Sequence, residues 1–149
     1  MTLLVPYDGS ALSKAALERA VEFAAFMDAE VIVLSVLPED GVEYALQRGW
    51  LNEDESYDPG TIRDRLEAEV ADLAPAATFR FQQAADLAEQ STIEMDVVRT
   101  IRNVAAEVGA EIVFVGSENA GRVSTPVTSV GAPVSEDPRY DVHIVRHPE

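Results

Sequence analysis

The sequence predicts an α/β fold: a single-domain three-layer sandwich built on a five-stranded parallel sheet, doubly wound. Three observations predict it. Short, continuously apolar runs recur along the chain, the pattern of parallel strands buried on both faces. Segments with apolar residues at helical spacing separate those runs. The length, 149 residues, suits one domain, since domains run to about 100–200 residues. Right-handed crossovers then place helices on both faces of the sheet.

The elements follow in order. Residues 3–7, Leu3-Leu4-Val5-Pro6-Tyr7, form an apolar run that stops at Asp8-Gly9-Ser10. This predicts a buried strand and a turn. Pro6 has no N–H, which places it at a sheet edge or a strand end. Residues 11–27 show helical spacing, with Ala16, Leu17, Ala20, Val21, Phe23, Ala24 and Met27 on one face. Ser10 is the expected N-cap. Residues 31–37 are a second apolar strand, stopped by Pro38.

Residues 38–60 break the alternation and read as an insertion or loop, with a helical turn at 42–48. Trp50 lies in it, as a packing staple or a partner anchor. Thr61-x-x-Asp64 has the form of a capping box and opens a third helical segment. Ile62, Leu66, Val70 and Leu73 recur on that segment, and Pro75 ends it. Residues 78–84 predict a third strand. Ser91-x-x-Glu94 resembles another capping box, opening a helix that runs through Val108 to Gly109. Its apolar stripe is Val97, Val98, Ile101, Val104, Ala105 and Val108. Residues 111–116 predict the fourth strand. A stretch rich in Gly, Ser and Thr (116–132) leads to a short helix near 130–137, and residues 140–146 predict the last strand. The domain spans 1–149, with no internal repeat.

Composition bounds the chemistry. There is no Cys, so disulfides, thiolate metal sites and thiol nucleophiles are excluded. The N-terminal residues carry no basic segment and no long apolar stretch, which predicts no signal peptide. No window approaches the ~18 apolar residues of a membrane span. A cytoplasmic protein is the expectation. Against 27 acidic residues stand 11 basic ones, of which only Lys14 is a lysine, and the formal net charge is −16. Such a surface repels nucleic-acid phosphates and anionic membranes, so neither is an expected partner. The near-absence of Lys and the spread of Asp and Glu along the chain favour adaptation to concentrated salt, where self-repulsion is screened.

In open α/β sheets a ligand sits beyond the carboxyl ends of the strands, at the point where strand order reverses. Three strand ends carry polar or glycine-bearing residues: Asp8-Gly9-Ser10, Ser35-Val36-Leu37 and Gly116-Ser117. A glycine-bearing loop that feeds a helix N-terminus can cradle a phosphate through its N–H groups. The same residues also suit a plain polar connection and a turn. A P-loop, a strand-one dinucleotide fingerprint and a nucleophile elbow are all absent. His143 and His147 are four residues apart on or beside a strand, roughly 13 Å at ~3.3 Å per residue. That is too far for one metal ion. No nucleophile, base and orienting group stand together, so an enzyme is not expected.

These residues carry a resemblance. The opening Leu3-Leu4-Val5-Pro6-Tyr7-Asp8-Gly9-Ser10, the strand containing Val36, the strand Glu111-Ile112-Val113-Phe114-Val115-Gly116-Ser117 and the closing Val142-His143-Ile144-Val145-Arg146 resemble the universal stress protein family. That resemblance implies a five-stranded parallel sandwich. It divides members into an ATP-binding group and a group that does not bind ATP. It places adenosine against the positions of Asp8 and Val36. It places phosphates and ribose along Gly-x2-Gly-x9-Gly-[Ser/Thr], here beginning at Gly116. Asn119 stands at the second glycine, Gly121 follows two residues later, and Thr128-Ser129 or Ser129-Val130 replaces the third. Candidate ligand residues are therefore Asp8, Val36, Gly116, Gly121, Ser124, Thr128 and Ser129, with ATP as the candidate cofactor.

Three readings follow. The first is a stress-response regulator with a degraded nucleotide site, acting through protein contacts. The second is an ATP-binding sensor. The third is an enzyme that uses the strand-end pocket on a nucleotide-like ligand. By the same resemblance, a homodimer through residues 140–146 is expected.

Overall fold

The computed structural model describes residues 1–38, 41–84, 93–117 and 140–148, with backbone alone at 93–96. Five strands form one sheet: β1 (Thr2–Pro6), β2 (Glu30–Pro38), β3 (Thr78–Ala84), β4 (Ile112–Gly116) and β5 (Asp141–Val145). Their order is β3-β2-β1-β4-β5, and every pairing is parallel. Four helices accompany them: α1 (Ala11–Met27), α2 (Val42–Gln47), α3 (Pro59–Leu73) and α4 (Ile93–Val108). The α/β fold with its five-stranded parallel sheet is as the sequence predicts. The short helix expected near 130–137 and the cap at Ser91 lie outside the described residues.

The two sheet faces bury separate sets of side chains. Leu3, Val5 and Val33 meet Leu17 and Ala20 of α1 and Leu66 and Val70 of α3. On the opposite face, Leu4, Leu34 and Val113 meet Ile101, Val104 and Ala105 of α4. This is why the central strands are continuously apolar: successive side chains point to opposite faces, and both faces are covered. Each fully buried Leu of this kind is worth about 1.5–3 kcal/mol relative to exposure.

The helix ends follow from local chemistry. Ser10 caps α1 by accepting from the N–H of Ser13 at 3.2 Å. Asp28 ends the helix in a left-handed conformation, φ 53°. The apolar face of α1 is narrower than its spacing suggests, because Val21 and Met27 are exposed. The start of α3 also differs from expectation. Asp58, not Thr61, is the N-cap; it accepts from the N–H of Gly60 at 3.0 Å, and Pro59 takes the first helical position. Thr61 instead donates its hydroxyl to Asp58 at 3.0 Å. A proline at the first helical position is preset for the helix and loses an N–H that would be unpaired there.

Pro6 is a strand-end residue, but its strand is the central one of the sheet. His143 is a sheet residue of β5. It stacks on Phe114 with ring centroids 4.9 Å apart and meets the edge of Phe23. Burial, and then the charge of Arg19, hold its imidazole below the ordinary value.

Candidate functional site

The sheet order reverses between β1 and β4, so a cleft belongs at their carboxyl ends. Pro6 helps to open it. Beyond Pro6 the chain stays tied to β2, since the N–H of Tyr7 donates to the carbonyl of Leu34 at 2.8 Å. Toward β4 the register covers only Leu3–Ile112 and Leu4–Val113. A proline facing β4 has no N–H with which to continue that ladder.

Asp8 and Ser10 then build the turn. The carboxylate Oδ1 of Asp8 accepts from the N–H of Ser10 at 2.9 Å. Gly9 takes φ +82°, a conformation that side chains disfavour. Two longer-range donors fix the same turn. The buried hydroxyl of Ser35 donates to the carbonyl of Tyr7 at 2.7 Å. Trp50 Nε1 donates to the carbonyl of Asp8 at 2.9 Å. Trp50 is 4% exposed, so its side chain is a packing staple for the insertion. Arg65 reinforces it by donating to the carbonyl of Trp50 at 3.0 Å and to the carboxylate of Glu55. Behind the turn, Tyr7 donates its hydroxyl to Glu69 at 2.8 Å. Burial, with that carboxylate beside it, pushes the Tyr7 phenol up, so it stays protonated.

The resulting cleft is open to solvent on one side. Leu34, Val36, Ile101 and Val115 give it an apolar floor. Asp8, Tyr44 and Arg48 form its polar rim, and Gly116 stands where β4 ends. Arg48 is the basic residue among those lining the cleft. Its Cζ lies 3.4 Å from the centroid of the Tyr44 ring, a cation–π contact. Its Nε is 3.7 Å from Asp8 Oδ2, an ion pair too long for a hydrogen bond. That Nε is buried and has no hydrogen-bond acceptor among the described residues.

Gly116 has a steric role of its own. A Cβ built on it would come 2.8 Å from the Cβ of Leu12 in the first turn of α1. The close approach of helix and strand requires a glycine there.

The model of the universal stress protein family matches residues 1–146. The chain belongs to that family. A universal stress protein solved in complex with cAMP is 24% identical, with a TM-score of 0.58, covering 100% of this chain and 98% of that one. A family member from Burkholderia pseudomallei is 18% identical, with a TM-score of 0.58 and coverage of 98% and 96%. One from Archaeoglobus fulgidus is 18% identical, with a TM-score of 0.54 and coverage of 98% of both chains. At these identities the likeness is one of fold. Comparison with curated protein sequences finds no match.

Of the ligand positions read from the sequence, Asp8, Val36 and Gly116 come together in one cleft. Gly121, Ser124, Thr128 and Ser129 lie outside the described residues. The sequence reading missed Arg48 and Tyr44. Their signal was present: an i,i+4 pair within a predicted helical turn shares one face. Nothing local, however, indicates that this face turns toward Asp8, forty residues earlier in the chain. No helix among the described residues is long and apolar enough to cross a membrane.

Proposed function

We propose that this family member is a cytoplasmic stress-response regulator, without a catalytic step of its own, that acts as a homodimer through protein contacts. Its strand-end cleft no longer grips a nucleoside triphosphate. The observation that carries this reading is the Arg48–Asp8 pair. The carboxylate that the family pattern turns toward adenosine is here engaged by a guanidinium from the chain's own insertion. The sequence after β4 supports it, with Asn119 at the second glycine position and Thr128-Ser129 or Ser129-Val130 at the third. A net charge of −16 further disfavours a polyphosphate.

Thermal unfolding with millimolar Mg-ATP in concentrated salt tests this. A ligand at 100 times its Kd adds about 2.7 kcal/mol of stability, which is several degrees for a domain this size. The expected shift is under a degree. A shift of several degrees would overturn the reading.

A second reading, a nucleotide sensor, has one observation in its favour: the cleft has an apolar floor at the strand ends. The fold neighbour solved with cAMP supports the same direction. For the dimer, the support is that β5 ends the sheet and carries Ile144, 36% exposed. An unpaired edge with apolar side chains invites pairing. Light scattering should give twice the chain mass, and Ile144→Lys should halve it.

A further inference from the structure

We infer that the end of the molecule where the strands begin, opposite the cleft, is a docking surface for a basic amphipathic segment of a partner protein, with Phe26 as its apolar anchor. This rests on the reading that the protein acts through protein contacts.

Topology gathers the parts of this surface. Every strand pairing is parallel, so the strands all start at one end of the sheet. The helices α1, α3 and α4 each return the chain to a strand start, so all three finish at that end. A helix C-terminus carries about half a negative charge, which favours a Lys or Arg in the last turn. None of the three has a basic residue there. Asp28 caps α1 instead, and Asp72 lies in the last turn of α3.

Carboxylates also line the strand starts. Glu30, Glu111 and Asp141 are all exposed. Backbone bonds order them across the sheet. The N–H of Glu30 donates to the carbonyl of Met1, that of Glu111 to the carbonyl of Thr2, and that of Asp141 to the carbonyl of Glu111, each at 2.9 Å. Into this negative field the chain sets apolar side chains. Phe26, in the last turn of α1, is 93% exposed, and Met27 and Met1 are exposed at the same end. Adaptation to concentrated salt accounts for the acids, but it gives no reason to leave a phenyl ring in water. Apolar groups rimmed by charge mark interaction surfaces, and aromatic rings are frequent anchors in them.

Charge selects the occupant. A nucleic acid, an anionic membrane and the same end of a second copy would each bring like charge. A segment with Lys or Arg flanking an apolar face complements both features. Its cations meet the carboxylates and the helix ends, and its apolar face covers Phe26.

Isothermal titration of the full chain uses three synthetic peptides. One carries Leu and Arg at amphipathic helical spacing, one has Glu in place of Arg, and one has Ser in place of Leu. At ~0.2 M salt the Leu/Arg peptide should bind, and the other two at least about tenfold more weakly. Phe26→Ser should weaken the Leu/Arg peptide about tenfold or more, the loss expected when a Phe ring is no longer buried. Raising the salt to ~1 M should weaken that peptide, while the ratio between the unmodified chain and Phe26→Ser persists. Glu30→Lys with Asp141→Lys should weaken it more than Glu53→Lys with Asp64→Lys, the same charge change made in the insertion and near the start of α3. Absence of binding by the Leu/Arg peptide overturns the inference. So does a Phe26→Ser protein, folded by circular dichroism, that keeps its affinity, and so do equal effects of the two charge pairs. A mass by light scattering that falls with Phe26→Ser assigns the surface to a second copy and overturns it too. The regulator reading fails separately: a Mg-ATP shift of several degrees overturns that reading and leaves the peptide result intact.

Discussion

Gly116 shows how one residue can satisfy two descriptions. By resemblance it stands at the first position of a phosphate-binding pattern, and it is where the first turn of α1 packs directly on β4. The contact with Leu12 is backbone-near and has no flexible end to move aside. Gly116→Ala should therefore cost about 1–3 kcal/mol by overpacking, measured by chemical denaturation without any ligand. If stability is unchanged, the glycine is kept for the ligand alone. His143 gives a second residue-scale expectation. Burial, and then Arg19, make its imidazole harder to protonate in the folded state. The unfolded chain takes up that proton first, near the ordinary value of about 6.5. The His143 contribution is thus full above that pH and is lost as pH falls below it. His143→Phe keeps an aromatic ring on Phe114 and should flatten the fall in stability between about pH 7.5 and 5.5. An unchanged slope would assign the pH dependence to other groups.

Among the elements, the strands were the most legible. Leu3-Leu4-Val5, residues 31–37 and Ile112-Val113-Phe114-Val115 are apolar on both faces because both faces are covered. Burial writes itself into composition, so a run of this kind is hard to mistake. The start of α3 was less legible, because two cap candidates lie three residues apart. Pro59 decides between them, since it fits the first helical position directly after Asp58. Asp58→Ala should cost about 1 kcal/mol in chemical denaturation. Thr61→Ala should cost less, and the reverse order would restore the later start. The insertion was the least legible element. Its helical turn was readable, but its position depends on Trp50 reaching Asp8 and Arg65 reaching Trp50. Contacts that distant in sequence leave no periodic trace. That is why Asp8, Val36 and Gly116, but not Arg48, could be named from the sequence among the residues lining the cleft.

At the scale of the whole molecule, charge is poorly compensated. Ion pairs such as Arg63–Glu67 and Arg80–Glu107 lie at the surface, and the chain carries 27 acidic groups against 11 basic ones. Exposed pairs contribute little, so repulsion should dominate the response to salt. The unfolding midpoint should rise between about 0.1 M and 1 M NaCl, as the screening length shrinks from ~10 to ~3 Å. A flat profile would mean that the acids are spaced widely enough not to interact. The short β1–β4 register has a mechanical consequence. The β1–β2 pairing runs over Thr2–Pro6 against Glu30–Leu34, and β4–β5 over Ile112–Gly116 against Asp141–Val145. The sheet is therefore two well-stitched panels, β3-β2-β1 and β4-β5, joined along a short seam. The cleft lies at the open end of that seam. Its walls come from both panels, Pro6 and Leu34 from one and Val115 and Gly116 from the other, so it is a notch where the two halves of the sheet meet.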